Sequence, residues 1–122
     1  MRATVVRAVR GAITVDADQP EEVRAATAEL LREVLARNAL EPEDLISILF
    51  TATPDLVSEF PAVAARQIGL SQVPLMCAQE IAVEGAMPRC IRVLIHCNAP
   101  VHRAIRHVYL RGARQLRLDL PE

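Results

Sequence analysis

Lysine and tryptophan are absent from this 122-residue chain, and Phe50, Phe60 and Tyr109 are its only aromatic residues. All 14 basic residues are arginines, and they are dispersed along a chain whose net charge is −1. Proteins that bind nucleic acid usually cluster their basic residues and stack bases on aromatic side chains. We therefore expect no nucleic-acid partner.

Long apolar runs are also missing. No stretch approaches the roughly 18 apolar residues of a transmembrane helix, so we expect no membrane span. The first residues lack the apolar core of a signal peptide. The three cysteines, Cys77, Cys90 and Cys97, are an odd number, which favours free thiols over a disulfide framework. Together these features predict a cytoplasmic protein.

The common catalytic motifs do not occur in the sequence. It contains no Gly-rich phosphate loop, no nucleophile elbow and no pair of acidic residues at positions that indicate acid–base catalysis. His96, Cys90 and Cys97 lack the spacing of zinc ligands. His107 has no nucleophile near it, and we interpret it as a partly buried structural histidine rather than a general base. We expect neither a metal nor a cofactor.

The chain is rich in apolar residues. Hydrophobic residues make up 52% of it and the mean hydropathy is +0.21, which is high for a short chain that fits one domain, residues 1–122. We interpret the surplus as surface that is buried against other subunits.

Apolar periodicity predicts strands over residues 5–15, 46–53, 73–78 and 90–97, the last of them central in the sheet. It predicts helices from about residue 20 to 37 and from 60 to 69, with a short turn or helix over 41–44. This order is typical of an α+β or mixed α/β fold. Residues 102–120 are ambiguous, and we expect a short strand or turn at 107–110 followed by an extended end.

The sequence also predicts the ends of the first helix and the buried faces of the first helix and the second strand. Asp18 is predicted to cap the N-terminus of the first helix, and Asn38 to end it. The apolar stripe of that helix is Val23, Ala26, Leu30, Leu31, Val34 and Leu35. In the second strand, the side chains predicted to share one face are Ile46, Ile48, Phe50 and Ala52.

Arg92 is the first candidate for chemistry, because it lies inside the apolar strand CIRVLI at residues 90–95. A guanidinium removed from water is costly unless an anion meets it. That anion belongs either to a ligand or to the protein, in which case Arg92 is a paired structural residue at an edge or an interface.

Arg10 and Glu80 are the other two candidates. Arg10 precedes Gly11 in a strand, and glycine permits a ligand or another backbone to approach closely; the alternative is a solvated strand residue. Glu80 ends a mostly uncharged stretch, where it can pair with an arginine, accept a hydrogen bond from a ligand hydroxyl, or simply face solvent. Cys77 before it is by default a small core residue.

Taken together, five stretches of the chain resemble the AroH-type chorismate mutases, which are monofunctional and trimeric. The stretches are VRGAITV at 9–15, TATPDL at 51–56, FPA at 60–62 with Arg66, VP at 73–74 with CAQE at 77–80, and CIRV at 90–93 followed by IRHVYL at 105–110. Each motif is weak alone, but their order and spacing over nearly the whole chain are specific.

The resemblance implies a mixed sheet with helices packed on one face, in a homotrimer that forms a pseudo-α/β-barrel with active sites at the clefts between subunits. It implies that Arg92 binds the ether oxygen of chorismate, that Arg10 and Tyr109 hold a carboxylate, and that Glu80 and Cys77 meet the ring hydroxyl. Further residues implied at the pocket and its mouth are Phe60, Ala62, Arg66, Leu75, Met76, Leu116 and Arg117.

Two departures from the family pattern affect peripheral positions. Val63 stands where the family often has a lysine, so one cation is missing. The family tail Arg-Pro-Asp-Leu reads Arg117, Leu118, Asp119, Leu120 here, so Leu118 replaces the family's proline next to Arg117.

The implied reaction fits what the sequence lacks. Conversion of chorismate to prephenate is an intramolecular rearrangement in which one C–O bond breaks while a C–C bond forms. It requires no nucleophile and no proton transfer. The protein has to select the compact diaxial conformer and to stabilise the negative charge that grows on the ether oxygen. Arginine suits a dianionic substrate, because it binds carboxylates in bidentate fashion and stays charged.

Two other functions remain open from sequence. Residues 35–45 and the strand that follows them also look like part of a RidA-like imine deaminase, another small trimer that sets an arginine against a carboxylate. The second alternative is a non-catalytic trimeric metabolite-binding protein with a decayed site. The Cys77 and Glu80 pair and the strand position of Arg92 favour the mutase over the deaminase.

Overall fold

The computed structural model describes residues 3–117 of the chain. Its elements, in chain order, are β1 (Thr4–Thr14), α1 (Pro20–Arg37), β2 (Leu45–Ala52), α2 (Pro61–Gln67), β3 (Leu75–Gln79), β4 (Cys90–Pro100) and β5 (Val108–Leu110). Short 3-10 helices cover Pro42–Asp44 and Arg111–Leu116. The order of predicted strands and helices is confirmed.

The five strands form one mixed sheet in the order β3-β2-β4-β1-β5. The middle strand, β4, runs antiparallel to both β1 and β2. The outer strands are parallel to their neighbours, β5 to β1 and β3 to β2. The central position predicted for the strand that carries Arg92 is therefore confirmed.

Both helices pack on one face of this sheet, as the α+β prediction requires. Leu30 and Leu31 of α1 are fully buried in the same cluster as Ile13 of β1 and Ile95 of β4. Burying each such side chain contributes about 1.5–3 kcal/mol. The predicted stripe of α1 is buried except for Leu35, which is only partly covered. Within residues 3–117, neither helix has the length and apolar character needed to cross a membrane.

The predicted cap of α1 is wrong. Gln19 occupies the N-cap position and makes no side-chain cap bond. The carboxylate of Asp18 instead accepts hydrogen bonds from the backbone N–H groups of Val57 and Ser58, at 3.1 Å each. Asp18 therefore ties down the loop that precedes α2. The predicted end of α1 at Asn38 is confirmed.

The predicted face of β2 is wrong at its first residue. Ile48 and Phe50 are buried beneath the helices, but Ile46 is 38% exposed and Leu45 takes the inward position. The cause is an irregularity in the pairing of β2 with β4, which shifts register between Leu45 and Ser47. A bulge of this kind turns the side chains on either side of it to opposite faces.

The end of the chain was predicted in part. The short strand expected at 107–110 is confirmed as β5. The predicted extended end is wrong for Arg111–Leu116, which form a 3-10 helix. Its first residue, Arg111, has a φ of 54°. The positions predicted to extend beyond Arg117, from 118 to 120, lie outside the described residues.

Candidate active site

The face of the sheet that the helices leave uncovered carries the basic side chains of interest. Thr51, Arg92 and Ala12 are direct partners across β2, β4 and β1, and Tyr109 of β5 is the partner of Ala12. Because paired residues point to the same side of a sheet, these side chains form one row. Arg10 lies one row away, opposite Leu94.

A cleft of about 400 Å³ opens above these rows. Its lining includes Arg10, Thr51, Arg92, Tyr109, Leu116 and Arg117. The structure thus brings together six side chains, four of them from the strands β1, β2, β4 and β5 and two from the 3-10 helix and the residue that follow β5. Five of the six were predicted as site residues from the sequence; Thr51 was not.

Arg92 meets its anion inside the protein. Its Nε lies 3.0 Å from Oε2 of Glu80, and the hydroxyl of Thr51 donates a hydrogen bond of 2.6 Å to the same oxygen. The Arg92 side chain is 44% exposed in the single chain. The expectation that Arg92 is removed from water therefore does not hold for one copy, since its side chain points away from the face that the helices cover.

A small apolar cluster closes one end of the cleft. Ala12, Cys90 and Ala113 are fully buried there, and Tyr109 and Leu116 pack against them. Burial raises the pKa of the Cys90 thiol to about 11, so this group is a neutral thiol at physiological pH. It acts as packing beside Arg92 rather than as a nucleophile, which is how a buried cysteine ordinarily behaves.

Arg10 is held through its backbone by His107. The N–H of Arg10 donates a hydrogen bond of 3.0 Å to Nδ1 of His107. Burial lowers the pKa of His107, and the charges of Arg10 and Arg117 lower it further. A neutral imidazole is therefore the acceptor. The sequence indicated that His107 is structural, but it held no sign that its partner is Arg10.

Gly11 permits the close approach of another backbone, which is one of the two alternatives that its sequence position suggested. A Cβ at this residue would lie 3.1 Å from the Leu30 side chain and 3.1 Å from the carbonyl oxygen of Val108. The groups that approach closely are thus α1 and the backbone of β5, on the covered face. Gly11 allows the helix and β5 to pack tightly while its neighbour Arg10 faces the cleft.

The remaining predicted residues lie apart from the Arg92 cleft. Phe60 and Cys77 line a second cleft of about 360 Å³. Cys77 pairs with Phe50 and packs against the core beneath the helices, so its side chain is on the opposite face from Arg92. Leu75 shares that face, Ala62 is buried, and Arg66 is exposed on α2.

Met76 is the exception among these residues. It is the partner of Leu49, whose side chain lines the Arg92 cleft, so Met76 lies on the uncovered face at the outer strand, where it is 64% exposed. A single copy of the chain therefore carries the predicted residues as two separate groups, on opposite faces of its sheet.

No group of three or more His, Cys, Asp or Glu side chains in residues 3–117 is placed to hold a metal ion. All three cysteines are free thiols.

Fold and site together define an α+β protein whose sheet presents an arginine-rich cleft suited to an anionic ligand. The family model of chorismate mutase type I matches residues 6–120. The chorismate mutase AroH of Thermus thermophilus is 51% identical over 118 residues, which is 95% of this chain and 97% of the relative. The chorismate mutase AroH of Bacillus subtilis is 42% identical over 118 residues, which is 95% and 93%.

A solved structure agrees with this similarity. A chorismate mutase from Clostridium thermocellum superposes with a TM-score of 0.86 at 46% identity, covering 89% of this chain and 98% of that one. The chain belongs to the chorismate mutase type I family, which confirms the family predicted from the five sequence stretches. The comparisons favour this family over the imine deaminases.

Proposed function

We propose that the chain is a chorismate mutase, an isomerase that converts chorismate to prephenate, and that residues 1–122 form its one domain. The family match over residues 6–120 and the two named relatives support the activity. The observation that carries the assignment of the site is the cleft that joins Arg10 and Arg92 on the uncovered face of the sheet.

Arg92 is the residue that we assign to the ether oxygen. Its Nε is already paired with Glu80, so we assign the contact with the ligand to its terminal nitrogens. Negative charge grows on the ether oxygen as the C–O bond breaks, and a preorganised donor stabilises this transition state more than the ground state. No proton is transferred, which agrees with a site built from arginine, carboxylate and hydroxyl groups.

Positioning of the substrate falls to the rest of the cleft. Arg10 and Tyr109 bind a carboxylate, and Glu80 accepts a hydrogen bond from the ring hydroxyl. Leu116 forms part of the wall, and Arg117 adds positive charge at the mouth. The cleft holds both reacting ends in the compact diaxial conformer. The bound substrate has therefore already lost the conformational freedom that free chorismate has to lose before it reacts.

Completion of the site requires a second copy of the chain. Within one copy of the chain, the sheet separates five of the assigned residues from the Arg92 cleft: Cys77, Phe60, Ala62, Leu75 and Arg66. We propose that a neighbouring subunit supplies them in a homotrimer with active sites at the subunit interfaces. The exposed apolar side chains Phe60, at 68%, and Met76, at 64%, support a buried interface here.

The proposed location is the cytoplasm, which the three free thiols support. A reducing compartment keeps such cysteines unpaired.

The activity is tested by incubating the purified protein with chorismate, following the loss of chorismate absorbance and identifying prephenate as the product. Binding of chorismate without turnover would favour the alternative of a non-catalytic metabolite-binding protein. Formation of prephenate at the uncatalysed rate would refute the assignment.

The shared site is tested by complementation between two inactive variants, Arg92→Ala and Phe60→Asp. When the two proteins are mixed under conditions that allow subunit exchange, a mixed trimer contains one site in which both halves are intact, so activity returns. Mixing either variant with itself is the control. Sedimentation gives the assembly state, and a monomer that is fully active would contradict the proposal.

A further inference from the structure

We infer that Thr51 is a positioning residue for this reaction, an inference that rests on the proposed function. Thr51 holds the carboxylate of Glu80 in a one-point pair with Arg92, and it thereby keeps the terminal nitrogens of Arg92 available to the substrate.

The geometry places Thr51 at the centre of this arrangement. Thr51 on β2 is the direct partner of Arg92 on β4, and both side chains line the same cleft. The Thr51 hydroxyl donates to Oε2 of Glu80 at 2.6 Å, a short bond of the kind that a hydroxyl makes to a carboxylate. The Nε of Arg92 lies 3.0 Å from the same oxygen.

The alternative pairing explains why this hydroxyl matters. A guanidinium and a carboxylate prefer to meet as a two-point fork, with two parallel N–H···O bonds. If Glu80 turned to make that fork, it would occupy N–H groups of Arg92 that the ether oxygen needs in the transition state. Thr51 opposes this rotation because its hydroxyl fixes one carboxylate oxygen.

The two alanines that flank Thr51 and Arg92 in this row offer no substitute donor. The β3 partner of Thr51 is Ala78, and the β1 partner of Arg92 is Ala12. Both alanines lack a polar side chain, so across this row of β3, β2, β4 and β1 the Thr51 hydroxyl is the donor that can orient Glu80.

The first experiment compares Thr51→Val with Thr51→Ser. Valine matches threonine in shape and is common in strands but cannot donate, so kcat should fall by about tenfold to a hundredfold, the loss expected for one hydrogen bond to a charged group. Serine retains the hydroxyl and should recover kcat to within about threefold of wild type. Thermal unfolding of each variant checks that the fold is retained. Equal losses in both variants, or none in Thr51→Val, would overturn the inference.

A double-mutant cycle separates positioning from a general packing effect. In a Glu80→Ala background, where no side-chain oxygen remains for Thr51 to orient, Thr51→Val should lower kcat by less than about twofold. If the two losses multiply independently, then Thr51 does not act through Glu80.

Crystal structures provide a readout that does not depend on turnover. In Thr51→Val, the Glu80 carboxylate should rotate into a two-point pair with Arg92, whereas Thr51→Ser should keep the one-point pair. A wild-type protein that fails to turn over chorismate would refute the proposed function alone. A one-point pair that persists in Thr51→Val would refute the role of Thr51 alone.

Discussion

Replacing Arg92 with alanine removes the donor that the cleft holds 3.0 Å from Glu80, on the row shared with Thr51 and Tyr109. If this guanidinium stabilises the breaking C–O bond, kcat should fall by at least the roughly 10²–10³-fold seen when an oxyanion donor is lost, which is about 2.7–4 kcal/mol of barrier. Arg92→Lys keeps the charge but not the planar fork, and its loss should be smaller than that of alanine.

The same substitution should change stability very little. The Arg92 side chain is 44% exposed and Glu80 is 19% exposed, so water screens their attraction, and pairs of this kind contribute at most about 1 kcal/mol. The hydroxyl of Thr51 continues to satisfy Glu80 after Arg92 is removed. The expected rise in the activation free energy therefore exceeds the expected fall in the free energy of unfolding, and the two can be measured separately.

The assay follows chorismate absorbance in purified wild type and Arg92→Ala, with thermal unfolding measured on the same samples. Arg37→Ala is a matched control, because Arg37 pairs with Glu33 at 2.9 Å on α1, away from the uncovered face. It should retain full kcat. A folded Arg92→Ala enzyme with unchanged kcat would refute the reasoning, whatever the control shows.

Four further outcomes follow from the structure. Arg10→Ala should lower kcat/KM through lost positioning, whereas Arg117→Ala should act mainly on KM; steady-state kinetics that show the reverse split would contradict both roles. Asn38→Ala should cost about 2–4 kcal/mol in denaturant unfolding, because Asn38 is 1% exposed and bonds both the N–H and the carbonyl of Arg106 at 2.7 and 2.9 Å; wild-type stability would show that these groups find other partners. His107 has a lowered pKa, so the unfolded chain binds its proton more readily, and stability should be full above about pH 6.5 and decline as the pH falls below it. Thermal unfolding against pH should lose part of that decline in His107→Gln, and an identical profile would exclude His107 as its source.

Periodicity was sufficient to predict the elements that have one clear face. The stripe of α1 and the alternation of β4 follow from apolar residues at regular spacing, because a helix or strand with one buried face imposes that spacing. The apolar residues around Arg92 predicted its strand but suggested that its side chain is removed from water, whereas in one copy that side chain is 44% exposed. Family resemblance then supplied the association of Arg10, Glu80 and Arg92, which no local pattern connects.

Local patterns could not predict features that depend on a distant partner. Asp18 has the composition of a helix cap, but the loop at Val57 and Ser58 competes for its carboxylate. Ile46 fits the alternation of β2, but the bulge against β4 inverts its position. The bond from Thr51 to Glu80 joins residues 29 positions apart, and the sequence around either residue carries no trace of it.

Successive residues of β4 alternate between the two faces of the sheet. Ile91, Val93 and Ile95 face the helices, while Arg92 and Leu94 between them face the cleft. Adding or removing a single residue within this strand would turn Arg92 toward the buried core and place a valine in the cleft instead, because successive side chains of a strand point to opposite faces. An insertion within β4 should therefore impair folding and activity together.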